Sequence, residues 1–351
     1  MPRRDIIVIG GSAGSLDVLG EIVARLPYDL QAAVFIVLHI SPTRESSLPE
    51  ILTRKGTMPA VHPTDYQPIE YGHIYIAPPD RHMLIENRHI NIVHGPKENR
   101  SRPAIDPLFR SAAINYGPRA VGVVLSGTLD DGTAGLYAMK KMGAVTIVQD
   151  PAEAMYAAMP ESAISNNKVD YIVRAAEIGP LLDQLVEDEG AQEGDLVTMA
   201  GSLRKEVEIS SQEIDSRDMI DAVQQIGRLT MFTCPECQGT LWEMKNGELL
   251  RYRCHVGHAF SIDSLDAEQG TKLEAALWSA LRALEERGAL ARRLATQARE
   301  RARLNIAERF QERARQADAD AGTIREILLA DPERALIAAR SGSPAANQQS
   351  Q

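Results

Sequence analysis

The sequence predicts an α/β fold, in which a doubly wound, mainly parallel sheet is followed by a small zinc-ribbon-like module and an α-helical C-terminal region. Three observations support this order. Short, wholly apolar, β-branched runs alternate with helix patterns in the first half, and such runs are typical of parallel strands covered on both faces. All three cysteines of the 351-residue chain fall close together, and Ala, Leu, Glu, Gln and Arg dominate the segment after them.

The elements of the first half follow one another as strand and helix. The first strand is the run Ile6 to Ile9, closed by two glycines. The other predicted strands are, in order, 33–38, 74–77, 89–93, 120–125 and 145–148. Helix patterns at 18–26, 105–116 and 134–142 separate them. Repeated βα units imply a parallel sheet wrapped by helices, with ligands expected at the carboxyl ends of the strands.

The second half predicts three further segments and a tail. Residues 187–228 are acidic and polar, which predicts a linker with some helix, and residues 229–262 hold the cysteines. Leu and Ala recur at three- and four-residue steps over 263–338, which predicts a helical hairpin or a dimerising coiled coil and hence a possible homo-oligomer. The polar tail 339–351 is predicted to be disordered.

Composition excludes several classes of function. The formal net charge of −10 argues against general binding of nucleic acid or of anionic membranes. No apolar run approaches the length of a membrane span, and the N-terminus lacks the pattern of a signal peptide. Three cysteines do not make a disulfide framework. A cytoplasmic protein is therefore expected.

A glycine-rich turn follows the first strand, with Ser12 at its centre in Gly10-Gly11-Ser12-Ala13-Gly14. The glycines do not fit a dinucleotide fingerprint, and a phosphate-binding loop would need a lysine. A nucleophile elbow is the third interpretation, because a tight strand-to-helix turn can lift a serine hydroxyl above the sheet. A plain βα turn in which Ser12 caps the helix remains the structural alternative.

A serine nucleophile needs a base, and two other strand ends offer polar side chains. His39 ends the second buried strand, and Asp130 and Asp131 follow the strand 120–125. Either aspartate could orient the imidazole or cap the next helix. The chain order Ser, His, Asp disfavours the common α/β-hydrolases, whose order is Ser, Asp, His.

Residues from about Asp5 to Leu182 resemble the catalytic domain of CheB-type chemotaxis protein-glutamate methylesterases. The matching blocks, in order, are Ile9 to Gly14, Ile36 to His39, Tyr75 to His82, Arg102 to Phe109, Val124 to Gly127, Asp131-Gly132, Gln149 to Pro151 and Met159-Pro160. The resemblance assigns residues 1–186 to this catalytic domain and implies a triad of Ser12, His39 and Asp131, with no cofactor for catalysis. Asp131 is preferred to Asp130 because it directly precedes the glycine of the family's pattern.

The resemblance implies hydrolysis of glutamate methyl esters on chemoreceptors or related sensory proteins through an acyl-enzyme, and in some members deamidation of glutamine. Contact with membranes is then expected only at the periphery of such receptors. The chain starts shortly before the first catalytic strand, so the family's receiver domain is not expected in cis, and a methyltransferase or a receiver-domain protein could act in trans. Ser15 and Thr128 depart from the family's usual Gly and Met, at positions expected near the substrate.

A second constellation combines Cys234 and Cys237 with Cys254 and His258. Their C-x-x-C and C-x-x-x-H spacings predict a Cys₃His site for a structural zinc ion, because four protein ligands leave no open position. His255 is an alternative ligand that fits the spacing less well, and a pair of structural or redox cysteines is the alternative to a metal site. The runner-up function is a catalytically weak CheB-like scaffold whose zinc and helical region binds a signalling partner.

Overall fold

A computed structural model describes residues 3–188, 200–211, 218–246 and 249–330, and the predicted disordered tail 339–351 lies outside these residues. The described strands are β1 (Ile6–Gly11), β2 (Ala33–Leu38), β3 (Ala60–Val61), β4 (Gln67–Pro68), β5 (Ile74–Ile76), β6 (His82–Glu86), β7 (His89–Val93), β8 (Ala120–Val124), β9 (Val145–Gln149), β10 (Tyr171–Val173), β11 (Arg228–Thr233), β12 (Thr240–Asn246), β13 (Leu249–Cys254) and β14 (Ala259–Ser261). The described helices are α1 (Ser15–Ala24), α2 (Leu48–Lys55), α3 (Ile105–Tyr116), α4 (Thr133–Lys141), α5 (Ala158–Asn166), α6 (Ala175–Glu187), α7 (Ala200–Ser211), α8 (Met219–Ile226), α9 (Ile262–Glu300) and α10 (Leu304–Leu329).

The predicted parallel sheet is confirmed. Within the described residues it has seven strands in the order β10-β9-β8-β1-β2-β5-β3, and every neighbouring pair is parallel. A separate three-stranded antiparallel sheet, β4-β7-β6, takes in the predicted strand 89–93, which therefore lies outside the parallel sheet.

Both faces of the central strands are buried, which explains their continuous apolar sequences. Along β1, Ile6 and Val8 pack in one core cluster while Ile7 and Ile9 pack in the other, as the two-residue period of a strand requires. Helices α3 and α4 bury their apolar side chains in the first cluster, and α1 and α6 bury theirs in the second. Helices α1 and α4, which follow the adjacent strands β1 and β8, thus cover opposite faces, and the cleft between two such connections is the usual ligand site of a doubly wound sheet.

The chain divides into two units, residues 1–266 and 267–351. The first unit includes the cysteine module, by which we mean the four-stranded antiparallel sheet β11-β12-β13-β14 (residues 228–261). The second unit holds α10 and the part of α9 from residue 267 onward. These helices run antiparallel, because Glu285 and Arg292 of α9 pair with Arg325 and Asp318 of α10, so that a later residue of α9 meets an earlier residue of α10. Among the described residues, no helix combines the length and apolar character that crossing a membrane needs.

Within the first unit, a cluster of buried charged side chains connects α3 and the loop that holds Glu98 with α7 and with the cysteine module. Glu98 accepts hydrogen bonds from Arg110 Nη2 (2.7 Å) and Arg253 Nη2 (3.0 Å), and Glu206 accepts from Arg251 Nη2 (2.6 Å). Burial alone would raise the pKa of Glu98, but the charges of Arg110 and Arg253 hold it well below the usual range. Burial would likewise raise the pKa of Glu206, but the charges of Arg251, Arg110 and Arg253 lower it to about 2. Buried charges of this kind are tolerated because each faces an opposite charge.

Candidate active site

Ser12 stands on a tight turn between β1 and α1. Gly14 has φ 79°, a left-handed conformation that suits glycine, and α1 begins at the next residue. The backbone N–H of Ser12 donates to the carbonyl of Ser126 at 3.0 Å, which ties the turn to the loop after β8. A Cβ on Gly127 would lie 2.8 Å from Ser12 Cβ, so this loop approaches the serine closely only because it carries glycine.

Three strand ends bring Ser12, His39 and Asp131 together. β1 lies between β2 and β8, so His39 after β2 and Asp131 after β8 flank the serine. His39 Nδ1 lies 3.1 Å from Ser12 Oγ, and His39 Nε2 lies 2.8 Å from Asp131 Oδ2. An ionised carboxylate only accepts hydrogen bonds, so Nε2 must carry the ring proton and Nδ1 is left free to accept the proton of the serine hydroxyl. This is the geometry of a nucleophile, a base and an orienting group.

Asp131 is fixed by donors from several directions. Its Oδ2 accepts the backbone N–H of Ile105 at 2.8 Å, at the N-terminus of α3, and its Oδ1 accepts Asn99 Nδ2 and the N–H of Gly132, both at 2.9 Å. Burial alone would raise the pKa of Asp131, but the hydrogen bond and charge of His39, with these other donors, hold it below the usual range. The carboxylate therefore stays ionised beside the imidazole at neutral pH.

Two other acidic side chains near Asp131 behave differently. Burial and the charge of Asp131 raise the pKa of Asp106 to about 7, although Asp106 also accepts a hydrogen bond from Asn99. Burial raises the pKa of Asp130 to about 6, against the lowering effect of the hydroxyl of Ser261, which donates to it at 2.6 Å. Of the two aspartates that the sequence offers, Asp131 contacts His39, whereas Asp130 contacts the cysteine module.

A cleft of about 310 Å³ opens above the three side chains. Besides them, it is lined by Asn99, Arg100, Ser101, Thr128 and Leu129. Ala13 and Gly14, which lead into α1, donate no backbone hydrogen bond to any group in the described part of the chain. These N–H groups, at the positive end of a helix, are candidate donors to an oxyanion formed on a substrate of Ser12.

The two departures from the family pattern have different surroundings. Thr128 is exposed and lines the cleft, as expected for a position near a substrate. Ser15 is not among the residues that line it. Its side chain is fully buried, donates to the carbonyl of Ser126 at 2.6 Å and lies 3.3 Å from the backbone nitrogen of Ser12. The hydroxyl thus braces the turn that holds the serine.

The four predicted metal ligands also converge. Cys254 Sγ lies 3.6 Å from both Cys237 Sγ and His258 Nδ1, and Cys234 Sγ lies 3.8 Å from His258 Nδ1. All four donor atoms lie within 4.8 Å of one another. His255 is not among the four residues whose donor atoms converge, and its ring lies beside Gly239. Thiolates and an imidazole at these separations suit one tetrahedral zinc ion.

Comparisons with known proteins point to one family. The profile of the CheB methylesterase family matches residues 7–182. A putative protein-glutamate methylesterase/protein-glutamine glutaminase of Leptospira interrogans is 35% identical over 182 residues, which are 52% of this chain and 94% of that protein. The Salmonella typhimurium protein-glutamate methylesterase/protein-glutamine glutaminase is 36% identical over 51% of this chain and 52% of its own length. The crystal structure of the Thermotoga maritima CheB methylesterase catalytic domain is similar with a TM-score of 0.50 at 30% identity, over 53% of this chain and 100% of that domain.

Proposed function

Because the chain belongs to the CheB methylesterase family, we propose that it is a protein-glutamate methylesterase that acts on methylated glutamates of chemoreceptors or related sensory proteins. The observation that carries this proposal is the hydrogen-bonded series Ser12–His39–Asp131 within the segment that matches the family. The names of the relatives extend the proposal to deamidation of glutamine. The triad needs no cofactor, because a serine, its base and an orienting carboxylate together perform acyl transfer.

The proposed reaction has two halves. In the first, Ser12 Oγ attacks the ester carbonyl as His39 Nδ1 takes the hydroxyl proton, and the carbon–oxygen bond to methoxide then breaks as His39 returns that proton, which releases methanol. In the second, His39 takes a proton from water, which attacks the acyl-enzyme, and the proton returns to Ser12 as glutamate is released. Asp131 stabilises the imidazolium in both halves, and Ala13 and Gly14 would stabilise the oxyanion.

A fluorophosphonate probe separates an enzyme from a catalytically weak scaffold. Such probes label only an activated serine, so we expect labelling of the wild type at Ser12 and none of the Ser12→Ala or His39→Ala variants. The proposal would be contradicted by a folded wild type that is not labelled by any of several small probes. That outcome would favour a scaffold in which the cysteine module and the C-terminal helices bind a signalling partner.

We further propose that Cys234, Cys237, Cys254 and His258 hold a structural zinc ion. The convergence of three thiols and an imidazole of a small antiparallel sheet supports this, because such a sheet has few apolar side chains to stabilise it alone. Zinc would crosslink the turns that follow β11 and β13. With four protein ligands it has no open position for substrate, so it takes no part in the reaction.

The zinc proposal has a matched pair of variants. Cys254→Ser removes a thiolate ligand, and we expect the purified protein to lose its zinc, measured by atomic absorption. His255→Ala changes the neighbouring residue but no ligand, and we expect it to keep the zinc content of the wild type. A wild type without zinc after expression in zinc-supplemented medium, or loss of zinc from His255→Ala alone, would contradict the assignment.

The wider setting also remains proposed. We place the protein in the cytoplasm, where receptor glutamates and reduced cysteines are found together, at the periphery of membrane receptors. Control by a receiver-domain protein in trans and reversal by a methyltransferase are part of the same proposal. A homo-oligomer through the C-terminal helices, whose exposed apolar side chains include Leu273 and Leu290 of α9, belongs to the same proposal. Sedimentation equilibrium tests this, and a monomeric mass would contradict it.

A further inference from the structure

The cysteine module is joined to the loop that lines the active-site cleft. Glu98 forms an isolated parallel bridge with Ala259 at the start of β14. The backbone N–H of Asn99 donates to the carbonyl of Ala259 at 2.8 Å, and the N–H of Ala259 donates to the carbonyl of Lys97 at 3.2 Å. The module therefore extends its backbone hydrogen bonding into residues 97–99, directly beside the cleft.

The side chain of Asn99 continues this connection toward the triad. Its Oδ1 accepts the backbone N–H of Ser261 at 3.0 Å and the hydroxyl of Ser264 at 3.2 Å. Its Nδ2 donates to Asp131 Oδ1 at 2.9 Å and to Asp106 Oδ2 at 3.0 Å. A backbone N–H can only donate, so the amide oxygen must face Ser261 and the amide nitrogen must face the two carboxyl groups. Both hydrogens and both lone pairs of this buried amide are thus used.

We propose that Asn99 is a positioning residue through which the cysteine module holds Asp131 in its working orientation against His39. The inference rests on the proposed function. The other hydrogen bonds that fix Asp131 come from His39, from the start of α3 and from Gly132, so Asn99 supplies its link to the module. Asn99 has a left-handed backbone conformation, with φ 47°. In this conformation its N–H donates to Ala259 while its side chain reaches Asp131.

The same amide separates two acidic groups. Burial and the charge of Asp131 raise the pKa of Asp106 to about 7, and each of the two carboxyl groups takes one hydrogen of Asn99 Nδ2. The other titratable or charged groups that act on this pair are His39, His82, Glu98, Arg110, Asp130 and Arg251. Removal of the amide would take a donor from the ionised Asp131 and raise the pKa of the carboxyl pair.

The test is the pH dependence of the rate at which a fluorophosphonate labels Ser12. Asn99→Gly removes the side chain without strain, because glycine accepts a positive φ. We expect labelling about tenfold slower at the plateau of the pH profile, because misplacement of a catalytic group commonly slows a reaction. We also expect the acid limb of the profile to lie about one pH unit higher, because Asp131 loses a hydrogen bond to its ionised form. A variant that had only lost part of its folded population would have a lower plateau with the acid limb unmoved.

Asn99→Asp distinguishes hydrogen bonding from space filling. Aspartate has the shape of asparagine but presents an acceptor to two carboxyl groups, so we expect it to label more slowly than Asn99→Gly. Ser264→Ala removes a donor to Asn99 Oδ1 from the module side, and we expect a smaller shift of the acid limb in the same direction. Ser279→Ala, an exposed serine of α9, is the matched control and should behave as the wild type.

Each outcome decides a different claim. An acid limb and a plateau equal to those of the wild type in both Asn99 variants would overturn the inference, and so would an Asn99→Asp variant closer to the wild type than Asn99→Gly. A wild type that is not labelled contradicts the proposed function instead. In that case the NMR signals of the His39 ring, whose measurement needs neither probe nor substrate, test the inference: signals that Asn99→Gly leaves unchanged would overturn it, and displaced signals would support it.

Discussion

Replacement of Asp131 by asparagine is expected to lower kcat for ester hydrolysis about 10⁴-fold. The donors Asn99 Nδ2 and the N–H of Gly132 would hold the amide oxygen at the present Oδ1 position. The amide nitrogen would then face His39 Nε2 and donate to it. That contact favours the tautomer with the ring proton on Nδ1, the nitrogen that must accept the proton of Ser12.

The control for this variant is the neighbouring residue. Asp130→Asn changes the same functional group at a carboxyl that contacts Ser261 rather than His39. We expect its kcat to stay within about tenfold of the wild type, because no group of the triad loses a partner. Equal losses in the two variants, measured by steady-state kinetics on the same ester, would contradict the assigned role of Asp131.

Replacement of Glu98 by alanine is expected to lower the free energy of unfolding by about 3–5 kcal/mol. Glu98 is 1% exposed and faces Arg110 and Arg253, which are also buried, so its loss leaves two guanidinium groups short of an opposite charge. The low pKa of Glu98 has the same origin. Urea unfolding followed by the fluorescence of Trp242, in a Trp278→Phe background, reports on the first unit.

Glu21→Ala is the matched control, because Glu21 forms an exposed ion pair with Arg25 on α1. Such a pair contributes about 0.5 kcal/mol or less. If Glu98→Ala unfolded at the same urea concentration as Glu21→Ala, the buried charge cluster would not stabilise the first unit as described.

Local pattern and topology together indicate from the sequence where the candidate site lies. Apolar runs identify the buried strands, and parallel strands end at one edge, so Ser12 and His39 are expected there before any contact is known. The choice of Asp131 over Asp130 came from the resemblance to the family. Physically it depends on the start of α3, whose N–H groups meet Asp131, and no pattern around residue 131 reveals that contact.

The missed features are contacts between residues far apart in the chain. Arg253 and Glu98 are 155 positions apart, and a charged side chain in a short strand is ordinarily predicted to face solvent. Glu98 and Arg253 can be buried because each faces an opposite charge in the folded protein. Asn99 was missed for the same reason, since its partners come from β14, α9, α3 and the loop after β8. The sequence shows Ser15 only as a residue that differs from the family's usual glycine. It does not show that the Ser15 hydroxyl braces the turn beneath Ser12.

The most direct test of the central claim is methanol release from a methylated chemoreceptor fragment, with the wild type compared with Ser12→Ala. If Ser12 is the nucleophile of a glutamate methylesterase, the wild type releases methanol and the variant is slower by at least about 10³-fold. A folded, zinc-containing wild type that releases none, or a Ser12→Ala variant that releases it as fast, would contradict the assignment.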